Sequence, residues 1–308
     1  MVNSSSFSSS MNVKVRGLIR LTRWREFMPF VIPLTVLGAL MAIQQSGGQT
    51  AFDGRLLLVL VANALAVSYG FMINDIEDAP DDAREADRAA RNPVACGELT
   101  PWQGWAASGG VALISLGLYA LAGVWPFVIG LLTLGLCHFY SWRPVRLKAW
   151  PVTDILSHSL MLSGLLFLSG YFAYGTTPGL VWVIALAATL LSVYGQLYNQ
   201  LRDFDMDKAA NLHNTAIMVG KRNAQWLMYS AIGMAFLLLV YSVVMRIIPL
   251  WIGIVPLLSI PALRLVQGPA TDMRGSKQVD ASGSAQIQFV LVANLTIAVW
   301  LIVTMIHG

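Results

Sequence analysis

Long apolar runs recur along most of this 308-residue chain, and short polar segments separate them. Each run is close to the roughly 20 residues that an α-helix needs to cross the hydrocarbon core of a bilayer. No segment shows the alternation of apolar and polar residues that a membrane β-barrel requires. Because a helix satisfies its own backbone polar groups, the pattern predicts an all-α, multi-pass transmembrane helical bundle of about nine helices. The predicted spans are residues 27–45, 56–73, 104–123, 125–140, 153–173, 179–198, 225–245, 247–263 and 288–306.

The composition agrees with a membrane protein. Hydrophobic residues make up 56% of the chain and charged residues 12%, and the mean hydropathy is +0.63. A soluble domain carries about 25% charged residues. The first ten residues include two Ser triplets and lack the charged-then-apolar order of a signal peptide, so we expect a disordered tail over residues 1–12, with Met11 as an alternative start. Residues 13–308 are then predicted to form a single membrane-embedded domain.

The charged residues fall almost entirely on one side of the predicted bundle. With the N-terminus in the cytoplasm, every Lys and Arg except Arg55 and Arg246 lies in a cytoplasmic segment, and Asp53 is the only acid outside. This bias follows the positive-inside rule, and it accounts for the net charge of +4 without a nucleic acid partner. We therefore expect an integral protein of a bacterial inner membrane whose chemistry faces the cytoplasm. Cys96 and Cys137 indicate neither a disulfide framework nor a metal site, and no pattern implies a protein partner.

Two polar segments follow apolar runs on the cytoplasmic side and share one spacing. The segment NDIEDAPDD begins at Asn74, and NQLRDFDMD begins at Asn199. Each places an Asn and two Asp residues at positions i, i+4 and i+8, which lie one above another on a helix face. We define the first box as Asn74, Asp75, Asp78 and Asp82, and the second box as Asn199, Asp203 and Asp207. Pro80 is expected to break or kink the helix of the first box, which leaves open whether Asp81 or Asp82 completes it.

Carboxylates packed this closely repel one another and are costly at a membrane edge. One box alone would be compatible with ordinary solvated charges at a helix end. Mg²⁺ takes oxygen ligands and is commonly held by one or two carboxylates together with substrate phosphates. The repeated spacing therefore favours two Mg²⁺-binding clusters that bind a diphosphate from opposite sides, with Asp78 and Asp203 as the central catalytic residues.

Basic residues suited to a diphosphate lie on the same side. The segment YSWRPVRLKAWP supplies Arg146 and Lys148, and ARNPVACGELTP supplies Arg91. Arg23 and Lys208 are two further candidates in cytoplasmic segments. Arg forms forked contacts with phosphate and Lys acts as a point charge. The alternative for each residue is simple anchoring by the positive-inside rule.

These motifs resemble those of the UbiA superfamily of intramembrane prenyltransferases. The first family motif, N-D-x-x-D-x-x-x-D, is matched by Asn74, Asp75, Asp78 and Asp82, and the second, D-x-x-x-D, by Asp203 and Asp207. A family-like turn, R-P-[IV]-x-x-G, is matched between Arg91 and Gly97 with Asn92 as an extra residue. The resemblance implies a bundle around a central cavity open to lipid, a polyprenyl diphosphate donor and a lipophilic or aromatic acceptor. It also implies Mg²⁺-assisted ionisation of the donor to an allylic cation, which the acceptor captures.

The face of an aromatic ring can stabilise such a cation. Aromatic residues occur near the boxes, although packing at the membrane interface is the alternative role for each of them. These candidates are Tyr69, Tyr140, Tyr194 and Tyr198. The four scattered histidines do not indicate a catalytic base. Asp154, at the start of the fifth predicted helix, is expected to be a helix cap, and the alternative is that it supports a residue that binds the ligand.

Two other functions are compatible with these features. A terpene cyclase of the same superfamily uses the same ionisation without an acceptor, so only a cyclase would release a cyclic hydrocarbon from a prenyl diphosphate alone. A cation or proton transporter also uses intramembrane acids. Transporters place such acids near the midplane on interrupted helices, whereas the predicted helix interiors here are almost free of charge.

Overall fold

The protein is built from α-helices and connecting loops. The computed structural model describes residues 4–47, 50–209, 212–265, 278–280 and 282–307, and no β-strand occurs within these ranges. A π-helical turn, Leu160–Gly164, joins α7 to α8. The helices are α1 (Ser4–Leu21), α2 (Trp24–Gln45), α3 (Gly54–Asp82), α4 (Ala86–Arg91), α5 (Pro101–Ala122), α6 (Val124–Ser141), α7 (Thr153–Ser159), α8 (Leu165–Phe172), α9 (Val181–Arg202), α10 (Phe204–Ala209), α11 (Thr215–Val219), α12 (Lys221–Val244), α13 (Ile254–Leu265) and α14 (Ser282–His307).

Eight helices in the described part of the chain are long and apolar enough to cross a membrane. They confirm the predicted helical membrane bundle. The remaining predicted span, residues 247–263, corresponds to a 3₁₀ turn, Leu250–Gly253, followed by the shorter helix α13. As predicted, a break separates α5 from α6, where Gly123 takes a φ of 138° that favours glycine. The eight helices are α2, α3, α5, α6, Thr153–Phe172, α9, α12 and Ala285–Ile306 within α14.

Helix α3 extends further than the apolar run predicts. It continues through Pro80 to the end of the first box, so the expected break is wrong. Pro80 has no N–H to donate to the Ile76 carbonyl oxygen, so the helix lacks one hydrogen bond there. Side chains also bind the carbonyl groups of the preceding turn: Asn92 donates to the carbonyl oxygen of Asp75, and Arg143 donates to that of Glu77.

Helix α1 precedes the first membrane span. It begins at Ser4. The disordered tail over residues 1–12 stays a prediction. Ser is only moderately unfavourable in a helix, and the apolar and basic residues that follow continue the same helix. At the end of α1, Leu21 is fully buried in a cluster with Met72 of α3, which fixes α1 against the end of the bundle that carries the boxes. The single domain over residues 13–308 stays a prediction.

Helices α2 and α8 touch through glycines. A Cβ on Gly38 would lie 2.0 Å from the Phe167 carbonyl oxygen, and a Cβ on Gly170 would lie 2.1 Å from the Thr35 carbonyl oxygen. Only glycine permits two helix backbones to approach this closely. Elsewhere, α3 packs against α2, α5 and α6, and α9 packs against α12. The two helices that carry the boxes therefore pack mainly against different neighbours.

A buried polar network joins four helices around Asn63 of α3, which is fully buried. Its Nδ2 donates to Thr35 Oγ1 of α2 at 2.7 Å and to the Leu166 carbonyl oxygen of α8 at 3.2 Å. Its Oδ1 accepts hydrogen bonds from the hydroxyls of Tyr119 in α5 and Ser169 in α8. In lipid, a satisfied network of this kind specifies how neighbouring helices are aligned.

Replacing Asn63 with leucine should destabilise the bundle. The fully buried hydroxyl of Tyr119 would lose the acceptor that Asn63 provides, which costs about 1–3 kcal/mol. We expect a lower thermal unfolding midpoint for Asn63→Leu in detergent. The double variant Asn63→Leu/Tyr119→Phe should recover part of that loss, because it also removes the stranded hydroxyl. An unchanged midpoint in the single variant would show that the network contributes nothing to stability.

Candidate active site

The first box meets a basic loop, residues 142–152, at the end of α3. Asn74 Oδ1 accepts hydrogen bonds from Lys148 Nζ and Ser141 Oγ, both at 2.9 Å. Asp78 Oδ2 lies 2.5 Å from Lys148 Nζ, and Asp78 Oδ1 lies 3.2 Å from Arg146 Nη2. The Asp78 and Lys148 side chains are only 20% and 17% exposed, so their ion pair is partly shielded from water. The structure therefore places both predicted cations of this loop against the first box.

The backbone of the basic loop orients these cations. The N–H of Arg146 donates to the Trp142 carbonyl oxygen, and Arg146 takes a left-handed conformation with a φ of 44°. Lys148 follows within a 3₁₀ turn. A residue other than glycine rarely takes this conformation, and such residues cluster at functional sites. Burial lowers the pKa of the Lys148 ammonium, and the neighbouring Asp78 carboxylate opposes that shift.

The other acids at the end of α3 have different partners. Asp75 is buried, and its Oδ1 lies 3.3 Å from Arg23 Nη1. Asp82 Oδ2 accepts a hydrogen bond from Asn92 Nδ2 at 2.9 Å, and the same Nδ2 binds the backbone of Asp75. Asp81 pairs with arginines of the basic loop at 3.1 and 3.9 Å. Asp82 and the backbone of Asp75 therefore share a contact with Asn92, whereas Asp81 contacts Arg146, which also binds Asp78. Sequence reasoning missed this role of Asn92, whose only signal was its extra position in the turn.

The second box stays in register although α9 ends inside it. Asp203 is the C-cap residue of α9, with a φ of −91° and a ψ of 4°. The helical hydrogen-bond pattern nevertheless continues across it. The N–H of Asp203 donates to the Asn199 carbonyl oxygen at 3.0 Å, and the N–H of Asp207 donates to the Asp203 carbonyl oxygen at 2.9 Å. The three residues therefore remain one turn apart, as their spacing predicts.

Neighbouring side chains hold the two acids of the second box. Arg202 contacts both carboxylate oxygens of Asp203, with Nε–Oδ1 and Nη2–Oδ2 distances of 2.9 Å. Asn214 Nδ2 donates to Asp207 Oδ2 at 2.8 Å, and Asn214 also caps α11 by accepting the N–H of Ile217. Burial, followed by the charge of Asp203, raises the pKa of the Asp207 carboxyl. The two carboxylates are close enough to repel each other.

A buried carboxylate connects the basic loop to the second box. Asp154 is 1% exposed, and it accepts hydrogen bonds from Gln200 Nε2 at 2.7 Å and from the backbone N–H of Thr215 at 2.8 Å. It is the second residue of α7, and Val152 occupies the N-cap position, so Asp154 is not the N-cap residue, although its Oδ1 accepts the N–H of Ile155 in the first turn. The sequence carried no signal for these contacts, because Gln200 and Thr215 are 46 and 61 residues away.

Two of the predicted aromatic residues are core residues. Tyr194 and Tyr198 are buried in a cluster formed by α9 and α12. The Tyr198 hydroxyl accepts the N–H of Val279 at 3.0 Å, and the Tyr194 hydroxyl accepts a hydrogen bond from Gln286 Nε2 at 3.1 Å. The Tyr194 hydroxyl therefore binds the first turns of α14, and the Tyr198 hydroxyl binds a residue just before that helix. Their role in stabilising a cation stays a prediction.

The other two aromatic residues lie closer to the first box. Tyr140 directly precedes Ser141, which contacts that box, and its hydroxyl accepts a hydrogen bond from Gln196 Nε2 of α9 at 3.3 Å. Tyr69 lies on α3, and its hydroxyl is 2.8 Å from His138 Nδ1. Tyr140 thus contacts α9, while its chain neighbour Ser141 contacts the first box.

The remaining predicted diphosphate-binding residues are less clearly placed. Arg23 contacts Asp75, but Glu26 also holds it through contacts of 2.8 and 2.6 Å. Arg91 ends α4 and Lys208 lies in α10, and both residues are exposed. Within the described ranges, no three His, Cys, Asp or Glu side chains form a group that could hold a metal ion. The box carboxylates instead contact Lys, Arg and Asn side chains.

Two curated proteins align with this chain. Digeranylgeranylglyceryl phosphate synthase from Natronomonas pharaonis is 27% identical over 267 residues, which cover 81% of this chain and 84% of that protein. Lycopene elongase/hydratase from Haloferax volcanii is 29% identical over 158 residues. That second alignment spans about half of either protein, 50% of this chain and 49% of the relative.

The fold and the sequence point to the same family. A structure of a UbiA homolog from Archaeoglobus fulgidus bound to GPP and Mg²⁺ superposes with a TM-score of 0.71 over 94% of this chain and 99% of that one, at 24% sequence identity. At that identity the likeness establishes the fold. A sequence model of the UbiA prenyltransferase family matches residues 31–278, a range that includes both boxes and the basic loop. Because this match covers well over half of the sequence, the chain belongs to the UbiA prenyltransferase family.

Proposed function

We propose that the chain is an intramembrane prenyltransferase that moves a prenyl group from a polyprenyl diphosphate to a lipophilic or aromatic acceptor. The observation that carries this proposal is the contact of one carboxylate, Asp78, with two cations, Lys148 and Arg146. Such a site offers both an oxygen ligand for a metal ion and donors for phosphate oxygens. Family membership and the A. fulgidus homolog bound to GPP and Mg²⁺ support the same class of reaction.

The side chains of the two boxes fit Mg²⁺ by their chemistry. Mg²⁺ is usually held by one or two carboxylates together with waters and substrate phosphates, so a group of three acids is not required. Lys148, Arg146 and Arg202 compensate the box carboxylates in this structure, and a metal ion would supply the same compensation. Bound Mg²⁺ would withdraw charge from the diphosphate and improve it as a leaving group. The oxygen donors are Asn74, Asp75, Asp78 and Asp82 in the first box and Asn199, Asp203 and Asp207 in the second.

Lys148 and Arg146 then act on the donor. Their N–H groups would bind diphosphate oxygens and stabilise the charge that develops as the C–O bond breaks, while a metal ion held by the boxes would compensate the charge of Asp78. The new bond joins the prenyl carbon to the acceptor, which releases a proton. The apolar helices exclude water that would otherwise capture the allylic cation. Among the aromatic candidates, Tyr69 precedes the first box on α3 and Tyr140 directly precedes Ser141, which binds Asn74, so these two are proposed to stabilise that cation.

The site is proposed to face the cytoplasm of a bacterial inner membrane, with the acceptor arriving from the lipid. The positive-inside bias supports this orientation. Asp53 and Arg55, which the sequence assigns to the outer side, pair with each other at 2.9 Å at the start of α3. The first box lies at the other end of the same helix, so the charges predicted outside are separated from the site by the length of a membrane span.

Labelled prenyl diphosphates of several chain lengths, incubated with membranes that contain the protein, test this proposal. We expect a lipid product whose mass shows the prenyl group joined to an acceptor, and its formation should stop when EDTA removes divalent cations. Membranes without the protein are the control. A cyclic hydrocarbon formed by the purified protein from the donor alone would instead indicate a terpene cyclase. Folded protein that converts no donor would contradict the proposal.

A further inference from the structure

We infer that Asp154 is a positioning residue that fixes the basic loop against the second box, so that both boxes act on one diphosphate. The inference rests on the proposed function, because it concerns the same site. Asp154 influences the site through the residues that it binds. Its hydrogen-bond donors Gln200 and Thr215 connect it to the loop that contains Lys148, to Asn199 and to the segment that binds Asp207.

The Asp154 carboxylate is buried among uncharged donors. Its Oδ1 accepts the N–H of Ile155 at 2.8 Å and the hydroxyl of Thr215. Its Oδ2 accepts hydrogen bonds from Gln200 Nε2 at 2.7 Å and from the N–H of Thr215 at 2.8 Å. A buried carboxylate is costly unless several donors satisfy it. Because the donors come from α7, α9 and α11, the carboxylate fixes the positions of these three helices relative to one another.

Two of the donors are chain neighbours of second-box contacts. Gln200 directly follows Asn199 in α9. Thr215 directly follows Asn214, whose Nδ2 binds Asp207 at 2.8 Å. A shift of the Asp154 carboxylate would therefore move Asn199, a candidate metal ligand of the second box. It would also move Asn214, which binds Asp207, another candidate ligand.

The basic loop is tied to the same point. The N–H of Val152 donates to Thr215 Oγ1 at 2.7 Å, and Thr153 Oγ1 donates to the carbonyl oxygen of Leu147, the residue before Lys148, at 2.9 Å. Val152 has a φ of 70° and a ψ of −49°, a conformation that is strained for a β-branched residue. Strain of this kind persists only where surrounding contacts enforce it. The Thr215 hydroxyl, which bridges Val152 and the buried carboxylate, is such a contact.

The test is a calorimetric titration of the purified protein in detergent with inorganic pyrophosphate at a fixed concentration of MgCl₂. We expect Asp154→Asn to raise the half-saturating pyrophosphate concentration about tenfold, a loss typical of changing a residue that orients ligand groups. Thr215→Val, which removes the bridging hydroxyl, should weaken binding in the same way, whereas Thr215→Ser, which keeps it, should bind as the wild type does. Asp205→Asn is the matched control, because Asp205 is 85% exposed and pairs with Lys221.

A purely structural role would give a different result. It would lower the thermal unfolding midpoints of the variants but leave the pyrophosphate affinity of the folded protein unchanged, and that outcome overturns the inference. Equal affinities of Thr215→Val and Thr215→Ser overturn it as well, and this pair decides the matter if Asp154→Asn does not fold. Failure of the wild type to bind pyrophosphate would remove the proposed function and this inference together. Wild-type binding that no variant weakens would remove the inference alone.

Discussion

Asp78→Asn should reduce prenyl transfer by about 10²- to 10³-fold, the loss expected when one charge-stabilising group is removed from an active site. Lys148 and Arg146 both contact the Asp78 carboxylate, at 2.5 and 3.2 Å. Asparagine keeps the size of the side chain but removes the charge that would hold a metal ion and that orients the two cations. The measurement is turnover of labelled prenyl diphosphate by membranes with equal amounts of folded protein. Asp205→Asn should retain wild-type turnover.

A second variant separates lost chemistry from lost stability. The Lys148 side chain is 17% exposed, so losing the charge of its partner leaves a partly buried ammonium without compensation and destabilises the protein. Asp78→Asn/Lys148→Met removes both charges. Its thermal unfolding midpoint should recover relative to that of the single variant, while its turnover stays low. Wild-type turnover by Asp78→Asn would refute the role of the first box.

Asp203→Asn should cause a loss of the same order in the same assay. Arg202 holds both oxygens of the Asp203 carboxylate, and Asn199 and Asp207 lie one helical turn away on either side. Because the two boxes are proposed to bind one diphosphate, their contributions should not be additive. The turnover of the double variant Asp78→Asn/Asp203→Asn should be only slightly lower than that of whichever single variant is less active. Fully multiplicative losses would show that the boxes act independently, and wild-type activity of Asp203→Asn would restrict the site to the first box.

The sequence was most informative where the membrane imposes a simple pattern. Apolar length and the placement of Arg and Lys predicted the long helices, because lipid leaves few ways to satisfy a backbone. Local spacing also carried over to the structure. Asn199, Asp203 and Asp207 remain one turn apart even though α9 formally ends at Arg202. Residues that are four positions apart in a helix lie about one turn apart, almost independently of the tertiary fold.

The contacts that sequence reasoning missed depend on long-range packing. Lys148 reaches Asn74 across 74 residues, and Asp154 reaches Thr215 across 61. Residue type alone could suggest that a cation lies near an acid, but it could not show which acid. General rules also failed where contacts from other segments decide the outcome. Pro80 is predicted to break or kink its helix, yet α3 continues through it to Asp82, and Asn92 and Arg143 bind carbonyl groups of the preceding turn.

Binding of Mn²⁺, a paramagnetic substitute for Mg²⁺, tests most directly whether the two boxes hold one metal-bound diphosphate. The measurement is the EPR signal of free and bound Mn²⁺ with the purified protein, with and without inorganic pyrophosphate. We predict that pyrophosphate increases Mn²⁺ binding by the wild type and that this increase is lost in both Asp78→Asn and Asp203→Asn. Pyrophosphate-dependent binding that survives in either variant at the wild-type level would contradict the account.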